Sequence, residues 1–331
     1  MNHRERIRNT LLGQPTDRPP VSFWRHFYHR EGSAEALAEA MLEFQRTYEW
    51  DLLKVNPRAS YHVEDWGTKT KRPGMGPLDK PKVVESPVKE PGDWAKIRAL
   101  DPTKGVLGEH LDAEERIAAA VQGDTDWVMT VFNPISIAAD LINDDERFVN
   151  HLRHHGERVH EALRAITETF AGFVRETMVR GASGIFFATT DWANADHIDK
   201  ELMAEFGRPY DLKVLSEALG GLVNVIHVCG PNAFVDEHLD YPVGIVSWDA
   251  HGEGNPKIAA LRQRTQKTLL TGVDHEGTFV NGPAAAVQEE AKEAIQESGG
   301  TRFILGPGCA VPAVAPMAHF QAVREVTLAC A

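Results

Sequence analysis

The stretch between residues 184 and 274 holds four short apolar runs: GIFFATT (184–190), VNVIHVC (223–229), GIVSWD (244–249) and TLLTGVD (268–274). Each run is nearly continuous in its apolar character, as a strand buried on both faces of a sheet requires. Working outward, the same kind of run recurs upstream as PVSFW (20–24), DLLKVN (51–56) and WVMTVFN (127–133), and downstream as RFILGPGC (302–309). Helical periodicity fills the intervals, at 34–48, 145–180, 200–219, 256–266 and 283–298. Strands that alternate with helices form a parallel sheet, and eight of them predict closure into a (β/α)8 TIM barrel, a single α/β domain spanning residues 1–331. An open doubly wound sheet is the alternative, but no GxGxxG follows the first run and no GxxxxGK[ST] occurs anywhere. Residues 64–102, rich in Pro, Gly and Lys, are too long for an ordinary loop and predict a lid or hairpin excursion.

The 331 residues carry a formal net charge of −13. With no concentrated basic stripe to offset that charge, a nucleic-acid partner is not expected. No apolar run approaches the roughly 18–20 residues a bilayer span needs, so no membrane partner is expected either. Three cysteines, at 229, 309 and 330, and no secretory signal pattern predict a reducing, cytoplasmic setting. Cys330, without polar company, reads as an apolar filler.

In barrels of this kind catalytic groups occupy the C-terminal ends of the strands. Those ends carry Arg25 and His26, Asn56, Asn133, Asp191, His227 and Cys229, Asp249, Asp274 and His275, and Cys309. Within the ring, His227 and Cys229 are two apart on a strand and share a face, and Cys309 closes the last strand. One imidazole and two thiolates suit tetrahedral zinc with a fourth, open position, as in catalytic rather than structural sites. Two further readings fit the same spacing: buried cysteines beside a core histidine, or a cysteine nucleophile paired with His227.

The chain resembles the uroporphyrinogen decarboxylase superfamily along its length. RERIRNTLLGQPTDRPPVSFW (4–24) is similar to the family's opening helix and strand, and VVESPVKEPGDWAKIRALDP (83–102) to a connection further on. IHVCG (226–230) with LGPGCAVP (305–312) resembles the zinc-binding branch, the methylcobamide:thiol methyltransferases. That resemblance implies His227, Cys229 and Cys309 as zinc ligands and methyl transfer from methylcobalamin or another methylcorrinoid. It also implies a small-molecule thiol acceptor, a corrinoid protein as partner, and a homodimer. On this reading Asp191 is a candidate fourth ligand or hydrogen-bond partner, unless it caps the helix that follows. Asp249 and Asp274 are candidates to orient His227, and Arg25 to bind an anionic group of the thiol. Asn56, Asn133 and Asp274 are the candidate cofactor-binding residues; His26 and His275 are weaker candidates for the site, for which a structural role is the alternative. The alternative is a tetrapyrrole carboxy-lyase. Against it, the stretch at 25–30 (RHFYHR) keeps one Arg of the decarboxylases' carboxylate-gripping motif and loses its Gly.

Overall fold

The computed structural model describes residues 1–330; Ala331, the last residue of the span read as one domain, lies outside the described residues. Seven strands form one curled parallel sheet: β1 (Leu52–Val55), β4 (Asp126–Phe132), β5 (Gly184–Ala188), β6 (Val225–Val228), β7 (Ile245–Trp248), β8 (Thr268–Val273) and β9 (Phe303–Pro307). They pair in that order, each with the next. Between β1 and β4 the chain makes an antiparallel hairpin, β2 (Lys69–Lys71) with β3 (Lys82–Glu85), largely exposed. It then returns to the body of the molecule through the turn Pro91–Lys96, where Trp94 is buried and its Nε1–H donates to His151 Nδ1 at 3.0 Å.

The predicted first strand is not a regular one, which corrects the expectation of eight strands closing a continuous ladder. Residues 20–24 lie between the sheet's two edges, joined to β9 by the single bridge Val21–Leu305. Two backbone bonds support that side, Ser22 N–H to Leu305 O and Leu305 N–H to Pro20 O, both 2.9 Å. On the β1 side one backbone bond, Asp51 N–H to Val21 O at 2.9 Å, is supplemented by side chains. Val21 N–H donates to the Asp51 carboxylate at 2.9 Å, and Ser22 Oγ to Leu52 O at 2.7 Å. Consecutive prolines at 19 and 20 bring no N–H to a ladder.

That same Asp51 is the anchor of the N-terminal segment. Its buried carboxylate accepts from Arg6 Nη1 (2.7 Å), Arg18 Nη1 (2.6 Å) and Nη2 (3.0 Å), and pairs with His3 Nδ1 at 2.9 Å. Burial pushes its pKa up, but His3, Arg18 and Arg6 outweigh that and hold it below the usual carboxylate value.

Strand alternation divides the apolar residues into two cores. Leu53, Val55, Met129, Val131, Ile185, Phe187, Ile226 and Val228 face outward, into the large core beneath the helices. Their neighbours Leu52, Val128, Phe186, Val225, Ile245, Leu270 and Ile304 face inward and fill the inside of the curl with Trp24. One helix-layer feature is testable. Glu114, on the helix Gly105–Val121, is fully buried; its Oε1 accepts from Thr177 Oγ1 at 3.1 Å and its Oε2 has no partner. Burial pushes its pKa up to about 8, against the weaker opposing pull of Thr177 and Arg180. The folded chain therefore binds a proton that the unfolded chain releases near pH 4.5. Stability contributed by this group is intact below that pH and is lost as pH rises toward 8, by up to about 1.4 kcal/mol per unit. Glu114→Gln removes the titration: its melting temperature relative to wild type should climb between pH 5 and pH 8.5, and a pH-independent difference would contradict this.

Candidate metal centre

Two residues nearer the C-terminal ends of the strands, the inward positions change character. Leu52 is followed by Lys54, Val128 by Thr130, Ile245 by Ser247, and Val225 by His227 and then Cys229. Register aligns them, with His227 opposite Ala188 of β5 and Ser247 of β7. The apolar floor thus gives way to a polar mouth.

His227, Cys229 and Cys309 converge there, their ligand atoms all within 4.8 Å of one another. His227 Nε2 lies 3.3 Å from Cys309 Sγ, and the two sulfurs lie 3.2 Å apart without a disulfide. The other ring nitrogen, Nδ1, is held by Ser247 Oγ at 3.0 Å, which aims Nε2 at the sulfurs. Cys309 is delivered by the loop after β9, and Gly308 is what lets that loop sit so close. A Cβ at 308 would stand 2.5 Å from Asp249 Oδ1 and 2.9 Å from His275 Nδ1. After Cys229 the chain turns away through Gly230, whose φ of +82° suits glycine.

The hydrogen bond from Cys229 drops the Cys309 thiol well below its ordinary value, against burial and with help from His227 and His275. The same bond, with burial, pushes Cys229 well up. Two sulfurs sharing one proton beside an imidazole are a soft donor set, and ligation of a cation would release that proton. One nitrogen and two sulfurs fit tetrahedral zinc with one position left over.

The three donors open onto a cavity of about 90 Å³ lined also by Trp24, His26, Lys54, Asn56, Thr130 and Phe186. Lys54 is 6% exposed. Its ammonium donates to Asn56 Oδ1 and lies 4.6 Å from the Phe186 ring centroid and 5.3 Å from that of Trp24. Burial pulls its pKa down to about 7, opposed by the Cys309 and Cys229 sulfurs. Sequence reasoning passed over Lys54, Ser247 and the two aromatic walls. A signal for Lys54 was available: a lone lysine inside DLLKVN, a run otherwise fit for burial on both faces.

The residues singled out from sequence scatter more widely. Asn56 and His26 line the cavity, His26 with its Nδ1 on Glu31 Oε1 at 2.8 Å. Arg25 turns to the Cys309 loop, donating through Nη2 to Ala313 O at 2.7 Å, so its guanidinium straps that loop. Asn133 caps the helix Pro134–Ile142, accepting from Ser136 N–H at 3.2 Å. Asp274 accepts from Gly277 N–H at 2.9 Å and shapes its own turn. Asp249 accepts from His251 N–H at 3.0 Å and stands 4.0 Å from His275 Nδ1. The partner of His227 is therefore Ser247 rather than either aspartate. Asp191 is exposed, lies within the turn Thr190–Ala193 whose N-cap is Thr189, and stays outside the three-ligand cluster. Partial desolvation raises its pKa, and the Cys309 sulfur adds to the effect. Cys330 is exposed rather than a filler, since the last helix ends there. No helix among the described residues is long and apolar enough to cross a membrane.

A curled parallel α/β sheet with ligating and polar side chains gathered at its C-terminal mouth defines a TIM-barrel-like, enzyme-type scaffold. The sequence matches the family model "Uroporphyrinogen decarboxylase (URO-D)" over residues 2–328, and the chain belongs to that family. No curated protein matches it. Among solved structures, a methyltransferase from Methanosarcina mazei is similar over 100% of this chain and 98% of its own, with a TM-score of 0.83 at 20% identity. A B12-independent methionine synthase from Shewanella sp. W3-18-1 is similar over 96% of this chain and 93% of its own, with a TM-score of 0.57 at 13% identity. A putative B12-independent methionine synthase from Listeria monocytogenes reaches 0.51 at 13% identity, covering 90% and 86%.

Because Ser247 fixes the ring of His227, its loss should be felt by a bound metal. Ser247→Ala is expected to weaken zinc affinity by roughly tenfold or more, measured by competition with a chromogenic chelator. Unchanged affinity would show that the hydrogen bond does not orient the ligand.

Proposed function

We propose that this chain is a zinc-dependent methyltransferase that moves a methyl group from a methylcorrinoid to the sulfur of a small thiol. The observation that carries the reading is the convergence of His227 Nε2 and two cysteine sulfurs on the wall of a small cavity, with one ligand position left for a guest. Zinc bound there would supply Lewis acidity, lowering the pKa of a thiol so that its sulfur is nucleophilic at neutral pH. The chain's own residues do the rest. Cys229 and Cys309 contribute two anionic donors, Ser247 holds the imidazole, and Trp24 and Phe186 wall the cavity against water. In the overall exchange the carbon–cobalt bond breaks, a carbon–sulfur bond forms, and the thiol proton is released.

Further support comes from the fold shared with the Methanosarcina mazei methyltransferase along the whole chain. We read the sheet as a (β/α)8 barrel whose first strand has lost its regular ladder, and the corrinoid as carried on a separate protein docking at the C-terminal mouth. Free cysteines suit a reducing, cytoplasmic setting. The carboxy-lyase alternative would need several basic groups facing many carboxylates. The cavity offers one lysine, no arginine and about 90 Å³.

The test follows methylcobalamin demethylation by its absorbance with a panel of small thiols. Zinc-loaded wild type should turn over, and both chelation and Cys309→Ser should abolish turnover, with zinc restoring only the wild type. Thiol methylation that persists in Cys309→Ser or in metal-stripped protein would overturn the proposal.

A further inference from the structure

The connection between β5 and β6 carries a helical fault that Pro209 dictates. A proline there has no N–H to bond the carbonyl of Glu205, and its ring crowds that carbonyl. The chain answers with a single π turn, Met203–Gly207, between the helices Lys200–Leu202 and Arg208–Leu215. Arg208 N–H reaches back five residues to Met203 O. Such turns are frequent at functional sites. Here the Met203 side chain folds over Gly207, where a Cβ would stand 2.5 Å from its sulfur. Beside the turn lies a cavity of about 160 Å³, walled by Met203, Ala204, Phe234, His238 and Tyr241.

His238 is 1% exposed. Its Nδ1 lies 2.7 Å from Phe234 O, and because a carbonyl only accepts, the proton on that nitrogen is committed there. Burial pulls its pKa down to about 4, so the ring is neutral and Nε2 keeps a lone pair. Nε2 is buried and has no partner in the fold. An acceptor covered in this way without a donor is costly to keep. The other polar groups of the lining are spent. Tyr241 Oη donates to Asp211 Oδ2 at 2.9 Å. Lys200 donates to Glu237, and Arg208 to the two Asp240 oxygens at 2.9 and 2.7 Å. With both cations already paired, an anion gains little here.

We infer that this cavity is a second ligand site, taking one small uncharged aromatic ring whose hydroxyl donates to His238 Nε2. The size agrees, since a cavity of roughly 150 Å³ accepts one benzene ring. Phe234 and Tyr241 supply aromatic walls, and the single open acceptor calls for a single donor on the guest. No lining residue is shared with the cavity of the metal centre, so the site does not depend on the methyl-transfer reading.

The test is titration of the full chain with 4-fluorophenol and with 4-fluorotoluene, which lacks the donor, followed by fluorine NMR. Wild type should bind the phenol about fivefold more tightly, the scale of one neutral hydrogen bond. The preference should be the same with and without zinc. His238→Leu should erase it while the toluene still binds. Ala204 is exposed on the cavity wall, so Ala204→Trp should keep the fold and weaken both probes at least about tenfold. Should His238→Leu fail to fold, the wild-type comparison and Ala204→Trp decide the matter. Equal affinities of wild type for the two probes overturn the inference, as does binding that Ala204→Trp leaves intact. Tighter binding of 4-fluorobenzoate than of the phenol would place an anion on Lys200 and Arg208 and overturn it too.

Discussion

Everything at this mouth depends on the two-residue alternation of strands held in parallel register. A strand that buries its outward side chains under helices commits the alternate ones to the inside of the curl. Val225, His227 and Cys229 are one such inward file, and Ile226 and Val228 the outward file that fixes it. A slip of one residue would send the imidazole and thiol into the helix layer and bring isoleucine and valine to the mouth. Because several kcal/mol of apolar burial oppose that slip, the ligand geometry is inherited from the core.

The same alternation governs what the sequence makes legible. The seven regular strands announce themselves as apolar runs, and the HVC and GPGC segments carry the convergence of ligands. Family membership adds the conviction that those residues belong together. Residues 20–24 look equally strand-like, yet on the β1 side a backbone bond from Asp51 N–H to Val21 O is supplemented by the Asp51 carboxylate and the Ser22 hydroxyl's own reach to Leu52. No pattern of hydrophobicity reports that exchange.

Side chains at strand ends are harder still. Arg25, Asn133, Asp274 and Lys54 are all polar groups at or near a strand terminus, and sequence position ranks the first three above the fourth. In three dimensions Arg25 ties down the Cys309 loop, Asn133 caps a helix and Asp274 closes a turn. These are local hydrogen-bonding duties that absorb most polar residues of this kind. Lys54 has almost no such duty and faces the cavity. Gly308 shows the complementary case: its backbone fits against Asp249 and His275 only because it has no side chain.

The proposed centre is one imidazole nitrogen and two thiolate sulfurs around a zinc ion, with a position open to exchange. Zinc K-edge X-ray absorption on the purified protein reads that shell directly. The predicted spectrum contains one nitrogen near about 2.0–2.1 Å, two sulfurs near about 2.3 Å and one further light atom. On addition of a thiol substrate the light atom should be replaced by a third sulfur. A shell of nitrogen and oxygen only, or one unchanged at saturating thiol, would contradict it.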